Sequence, residues 1–202
     1  ATSRQGHVAT RLISGLPMEN ITKQDRITLK DLRVSDFASD ETLCFTAIVV
    51  FDGTPIAEAH NGGNGGSTFL RALDGKKALL AQAEAFAKGL PPAPLDLGQE
   101  GEDPHYIDMT LDFLVDELAE AMHGERKLRA AFKRDIGNRV LFIKDAKLLF
   151  IKAIKLKAIA DRKAYFASLR ARQTQPIIIL AELPPEQAID LWKKHILGDT
   201  PD

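Results

Sequence analysis

The chain has 202 residues, 45% of them apolar and 27% charged, an ordinary globular composition with enough material for a buried core. Its single cysteine, Cys44, excludes an internal disulfide and a cysteine-based zinc site, and points to a reducing compartment, the cytoplasm. The net charge of −1 conceals an asymmetry: residues 1–123 hold 10 Lys/Arg against 19 Asp/Glu, and residues 124–172 hold 15 against 4.

Residues 1–17 lack the long apolar core of a secretory signal and read as a leader or an appended extension ahead of Met18. Residues 18–90 read as an N-terminal lobe of β-hairpin plus helix. Within it, Leu43 to Phe51 is rich in β-branched and aromatic residues, and Asp52-Gly53 is a two-residue turn signal. The predicted hairpin covers about 43–60. Pro55 near the start of the returning strand places that strand at a sheet edge. Ile27 to Val34 alternates well enough to supply a third strand. Asp74 to Leu90 has helical spacing, with Leu79, Leu80, Ala83 and Phe86 on one face and Gly89 as a stop.

Residues 91–104 are rich in Pro, Gly and acids and read as a linker between the two lobes. In the C-terminal lobe, 105–202, a helix is predicted from Tyr106 to His123, capped by Asp103. Gly124 interrupts it, and a basic helix follows from Glu125 to Ile136. Val140 to Lys144 and Leu148 to Ile154 form a second predicted hairpin, about 140–154, turning at Asp145-Ala146-Lys147. Ala158 to Arg172 reads as helix, Ile177 to Leu180 as a short strand, and Pro184-Pro185-Glu186 opens a last helix through Leu197. Two antiparallel hairpins combined with four to five helices define an α+β protein, as one compact domain or two coupled lobes.

Three features can carry chemistry. The loop Asn61-Gly62-Gly63-Asn64-Gly65-Gly66 can aim backbone N–H groups at an anion, although it lacks the Gly-Lys-Ser/Thr ending of a phosphate loop. Its structural alternative is a connection or close backbone approach. Asp108, Asp112, Asp116 and Glu120 recur every four residues and so share one helix face, where like charges repel. Mg²⁺ or Mn²⁺ would relieve them and supply phosphate-ester hydrolysis; the simpler relief is ion pairing with the basic helix that follows, if the two pack as an antiparallel pair. Third, Lys144, Lys147, Lys152, Lys155, Lys157, Arg162, Lys163 and Arg170 cluster among Phe142, Phe150, Tyr165 and Phe166. Clustered cations suit phosphate backbones and exposed rings suit unpaired bases, whereas the same rings serve equally as core.

No nucleophile elbow or histidine metal spacing is present. The sequence therefore favours a non-enzymatic intracellular binding protein that uses no cofactor. Its basic half would contact nucleic acid or an acidic protein surface through a contiguous positive face. The alternatives are the metal-dependent hydrolase and an acidic mimic of DNA. No apolar run approaches the roughly 20 residues that span a bilayer, so no membrane partner is expected. The strand bearing Pro55, if at an edge, offers a route to a homodimer.

Overall fold

A computed structural model describes residues 5–7, 22–95 and 105–198. They form two compact units, one of residues 22–124 and one of residues 125–198 with strand β1 (Gln5–His7). The division between Gly124 and Glu125 coincides with the change of charge. The described residues of the first unit hold 8 Lys/Arg against 14 Asp/Glu, and those of the second hold 17 against 7. The protein is α+β, with two four-stranded antiparallel sheets and a two-stranded ribbon among the described residues.

In the first unit β2 (Ile27–Val34), β3 (Phe45–Phe51), β4 (Thr54–Asn61) and β5 (Phe69–Ala72) form a meander in chain order. The β3–β4 turn is Asp52-Gly53 with φ of 47° and 77°, the left-handed pair that matches strand twist in a tight hairpin. Helix α1 (Lys77–Lys88) follows the β5 strand. One face of the sheet buries Ile27, Leu29, Phe45, Val49 and Ile56 with Ala83 and Ala87 of α1. The other face carries Lys30, Arg33, Thr46 and His60 to solvent. This is the alternation of a half-covered antiparallel sheet.

Pro55 does not mark an edge. Strand β4 pairs with both β3 and β5, and the register shifts by a bulge where Pro55 meets Val50, ahead of the β5 pairing that begins at Ala57. A bulge accommodates the missing N–H as well as an edge does. The proposed homodimer strand is therefore interior.

The segment 91–104 is not where the units divide. Strand β6 (Ala93–Leu95) pairs antiparallel with β7 (His105–Ile107), and residues 96–104, including Asp103, lie outside the described residues. Helix α2 spans Leu111–Asn138 without a break, so the two predicted helices are one. Thr110 marks its start, its Oγ1 accepting the Phe113 N–H at 3.4 Å. Glycine in a helix costs only about 1 kcal/mol, which buried Ala119 and Leu128 on either side of Gly124 outweigh. Among the described residues no helix is long and apolar enough to cross a membrane.

The second unit is built on the hairpin β8 (Val140–Lys144) and β9 (Lys147–Ile151), flanked by β1 and β10 (Ile178–Ile179) in the order β1-β9-β8-β10. The segment that reads as a leader or extension thus supplies an edge strand, Gln5 to His7 pairing with Ile151 to Leu149. Helices α3 (Arg162–Ala171) and α4 (Pro185–Leu197) complete the unit, with Pro185 in the first turn of α4. Leu141, Ile143 and Leu148 pack with Leu128, Phe132, Ile189 and Trp192. Val140, Phe142, Leu149 and Ile151 pack with Phe166 and Leu169. Both faces of the hairpin are covered.

The β8–β9 turn places Asp145 and Ala146 at φ of 49° and 54°. An alanine there bears the left-handed penalty that glycine avoids. Ala146→Gly is expected to raise unfolding stability by about 0.5 kcal/mol, the penalty less the added freedom of the unfolded chain. Chemical denaturation checks this; a destabilised variant would contradict the assigned turn.

Candidate nucleic-acid interface

The glycine loop is a clasp that holds its own sheet. Asn61, 2% exposed, donates from Nδ2 to the Gly66 carbonyl and to Thr68 Oγ1, both at 3.0 Å. Its Oδ1 accepts from Thr42 Oγ1 at 3.0 Å and from the Gly63 N–H at 2.9 Å. The Gly65 N–H donates to Thr42 Oγ1 at 3.3 Å, and the Gly63 carbonyl accepts the N–H groups of Asp40, Glu41 and Thr42. A Cβ on Gly63 would lie 2.0 Å from the Ala38 carbonyl oxygen, and φ there is +85°. Close backbone approach is therefore why glycine stands here. The loop's Gly63 and Gly65 N–H groups are engaged within the protein, while Gly62, Asn64 and Gly66 are exposed links of the clasp. The clasp thus takes up two of the N–H groups that the expected anion cradle would have used.

Thr68, also buried, donates from Oγ1 to an oxygen of the Asp116 carboxyl, tying helix α2 to the clasp. The acidic stripe is thereby divided. Asp108 precedes α2 rather than lying on it, and Asp112, Asp116 and Glu120 follow one another along the helix. Burial raises the Asp116 carboxyl above the usual range; the Thr68 hydrogen bond opposes this and Asp112 adds to it. Burial raises Glu117 and Glu120 as well, and Glu120 is raised further by Asp116 and Glu117. Among the described residues no three His, Cys, Asp or Glu side chains group as metal ligands. The hydrolase reading thus lacks a converging donor set, and the mimic reading lacks a fully exposed acidic row, since Asp116 is half-buried and bonded.

The basic residues separate into paired and unpaired sets. Arg129 donates to Glu125 at 2.7 Å and grips Glu186 with two bonds of 3.0 and 2.9 Å, and Lys193 also reaches Glu125. Burial alone would raise Glu125, but the bonds from Lys193 and Arg129 hold it below the ordinary carboxylate range. Arg170 is bound by Glu182, which removes it from the predicted interface. Lys144 is half-buried and donates to Gln173 at 3.3 Å. Lys147, Lys152, Lys155, Lys157, Arg162 and Lys163 are exposed and form no ion pair among the described residues.

Strand register decides where these cations stand. Lys144 and Lys147 are partners at the hairpin tip, whereas Val140 and Ile151 are partners at its base. Lys152 and the residues after it therefore begin at the end opposite the tip. Since both hairpin faces are covered, the expected continuous basic face across the hairpin does not form. Instead, segment 152–163 carries five cations and one acid, Asp161, whose carboxylate caps α3 by accepting the Ala164 N–H at 2.9 Å. A turn at Lys152-Ala153, with Ala153 at φ 65°, and a short 3₁₀ turn at Leu156–Ala158 bend this segment. The interleaved rings are core: Phe142 and Phe166 are buried, Tyr165 packs on Phe166, and Phe150 lies under the Arg139 guanidinium at 4.7 Å.

Sequence reasoning missed the Asn61–Thr68–Asp116 linkage and the Arg129–Glu186 pairing, which join residues from 7 to 57 positions apart. Only an asparagine beside paired glycines hinted at the first. Comparison with family models, curated proteins and solved structures found no match.

Loss of the clasp is expected to be costly: Asn61→Ala strands several buried partners and should remove about 3 kcal/mol of stability. Gly63→Ala should do at least as much damage, while Gly66→Ala, with open space around it, should be near neutral. Equal effects at Gly63 and Gly66 in denaturant titrations would contradict the clasp. The raised carboxyls set a sign for pH. The folded chain binds more protons than the unfolded one between the ordinary carboxylate pKa and the raised value, so stability falls as pH rises through that window. Asp116→Asn keeps an acceptor for Thr68 and removes two like-charge pairs, so it should stabilise at neutral pH by about 0.5 kcal/mol and flatten this slope. Melting curves from acid to neutral pH check it; a destabilised, equally pH-sensitive variant would oppose it.

Proposed function

We propose that this is a non-enzymatic nucleic-acid-binding protein whose second unit holds a phosphate backbone through Lys152, Lys155, Lys157, Arg162 and Lys163. The observation that carries the reading is that these five cations, exposed and without ion pairs, fall within twelve residues, whereas Arg129, Arg170 and Lys193 of the same unit are paired to carboxylates and the exposed Lys133 and Arg134 lie apart on α2. Clustered like charges raise the local potential and lower the stability of the free protein, and a polyanion relieves both. Arg162 and Lys163 occupy the first turn of α3, the end of a helix at which cations are disfavoured and anions favoured. Lys147, exposed at the hairpin tip, stands apart and is not part of the core contact.

Fluorescence anisotropy with a duplex of about 20 base pairs tests this, since five phosphate contacts give a log–log salt slope of about −4.5. Affinity should then fall roughly 500-fold between about 50 and 200 mM salt. The triple variant Lys152→Gln, Lys155→Gln, Lys157→Gln should reduce the slope by roughly three. Poly-glutamate serves as the competing ligand: its binding in the absence of any nucleic-acid binding would assign the surface to an acidic protein. Failure of both ligands to bind at low salt would overturn the proposal.

A further inference from the structure

We infer that the nucleic acid recognised is a duplex, held by its phosphate backbone without sequence readout, rather than a single strand read through its bases. This rests on the nucleic-acid reading above and narrows it to one substrate class. Proteins that hold unpaired strands combine cations with rings on which bases stack, and each stacked base contributes appreciably to affinity. Among the described residues the second unit has the cations, and none of its aromatic rings is more than partly exposed. Phe142, Phe166 and Trp192 are almost wholly buried, and Phe132 is buried against Trp192 with ring centroids 5.7 Å apart. Phe150 is covered by Arg139, and Tyr165 packs edge-on against Phe166 at 6.1 Å. The large apolar side chains that the unit does expose are aliphatic, Ile178 and Leu197.

Charge density points the same way. A duplex carries one negative charge per about 1.7 Å of axis, so it offers more phosphates to a short, folded cationic segment than a single strand does. Segment 152–163 is such a segment, five cations within twelve residues and bent by two turns. Four of its five cations are lysines, point charges that neutralise phosphates and do not stack, and its one planar group is the Arg162 guanidinium in the first turn of α3. The contact is therefore indifferent to base sequence, and its strength follows from the number of phosphates within reach.

The test compares one DNA duplex with each of its separated strands, and with oligo-thymidine of the same length, on the full chain at low salt. The duplex should bind at least tenfold tighter than any single strand, and duplexes of unrelated sequence should bind within about twofold of one another. A second measurement follows tyrosine and tryptophan emission during titration, which base stacking would quench and backbone contact leaves unchanged. Single strands binding as tightly as the duplex, or quenching that accompanies binding, would overturn the duplex assignment while leaving nucleic-acid binding intact. Absence of binding to every nucleic acid would instead remove the underlying reading.

Discussion

The second unit is organised by the burial of both faces of one short hairpin. From Val140 to Ile151 nearly every side chain of β8 and β9 enters one of two apolar clusters, with Phe132 and Trp192 in one and Phe166 and Leu169 in the other. Each such large apolar side chain contributes about 1.5–3 kcal/mol when fully buried, so charge is excluded from the strand faces far more strongly than any surface ion pair could oppose. The cations of this part of the sequence must then lie at the hairpin's ends and in the connections. The chain supplies one lysine pair at the tip and a dense group after the base, and the second of these is the candidate interface.

The first unit answers a different problem. Its sheet has a single covered face, so polar side chains alternate freely onto the other, and Arg33, Thr46, His60 and Phe69 line up in register across it. What needs closing is the end of the sheet where β4 runs into the glycine loop. Asn61 does this by satisfying two donors and two acceptors at once, and Thr68 passes the linkage to Asp116. The acidic character of this unit is therefore partly structural. A carboxylate that anchors a buried network is a different object from one that waits for a cation.

Elements fixed by local chemistry were legible in the sequence. The two hairpins follow from Asp52-Gly53 and Asp145-Ala146, whose residues take left-handed φ, and the last helix from Pro185 in its first turn. Elements decided by distant partners were not. Pro55 is compatible with an edge or a bulge, and only the presence of β5 chooses between them. Gly124 is compatible with a break or a continued helix, and flanking burial chooses. The same holds for the site. Clustering of the cations was visible, but that Arg170 belongs to Glu182, that Arg129 belongs to Glu186, and that the rings between them are core depends on packing.

The central claim is that segment 152–163 is the surface that meets the polyanion. Lysine-reactivity footprinting with a short duplex tests it most directly, because acetylation read by mass spectrometry reports every lysine at once. The account predicts protection of Lys152, Lys155, Lys157 and Lys163 on adding duplex, with Lys30, Lys76 and Lys88 of the first unit acetylated as before. Protection of the first-unit lysines, or uniform protection across both units, would contradict it.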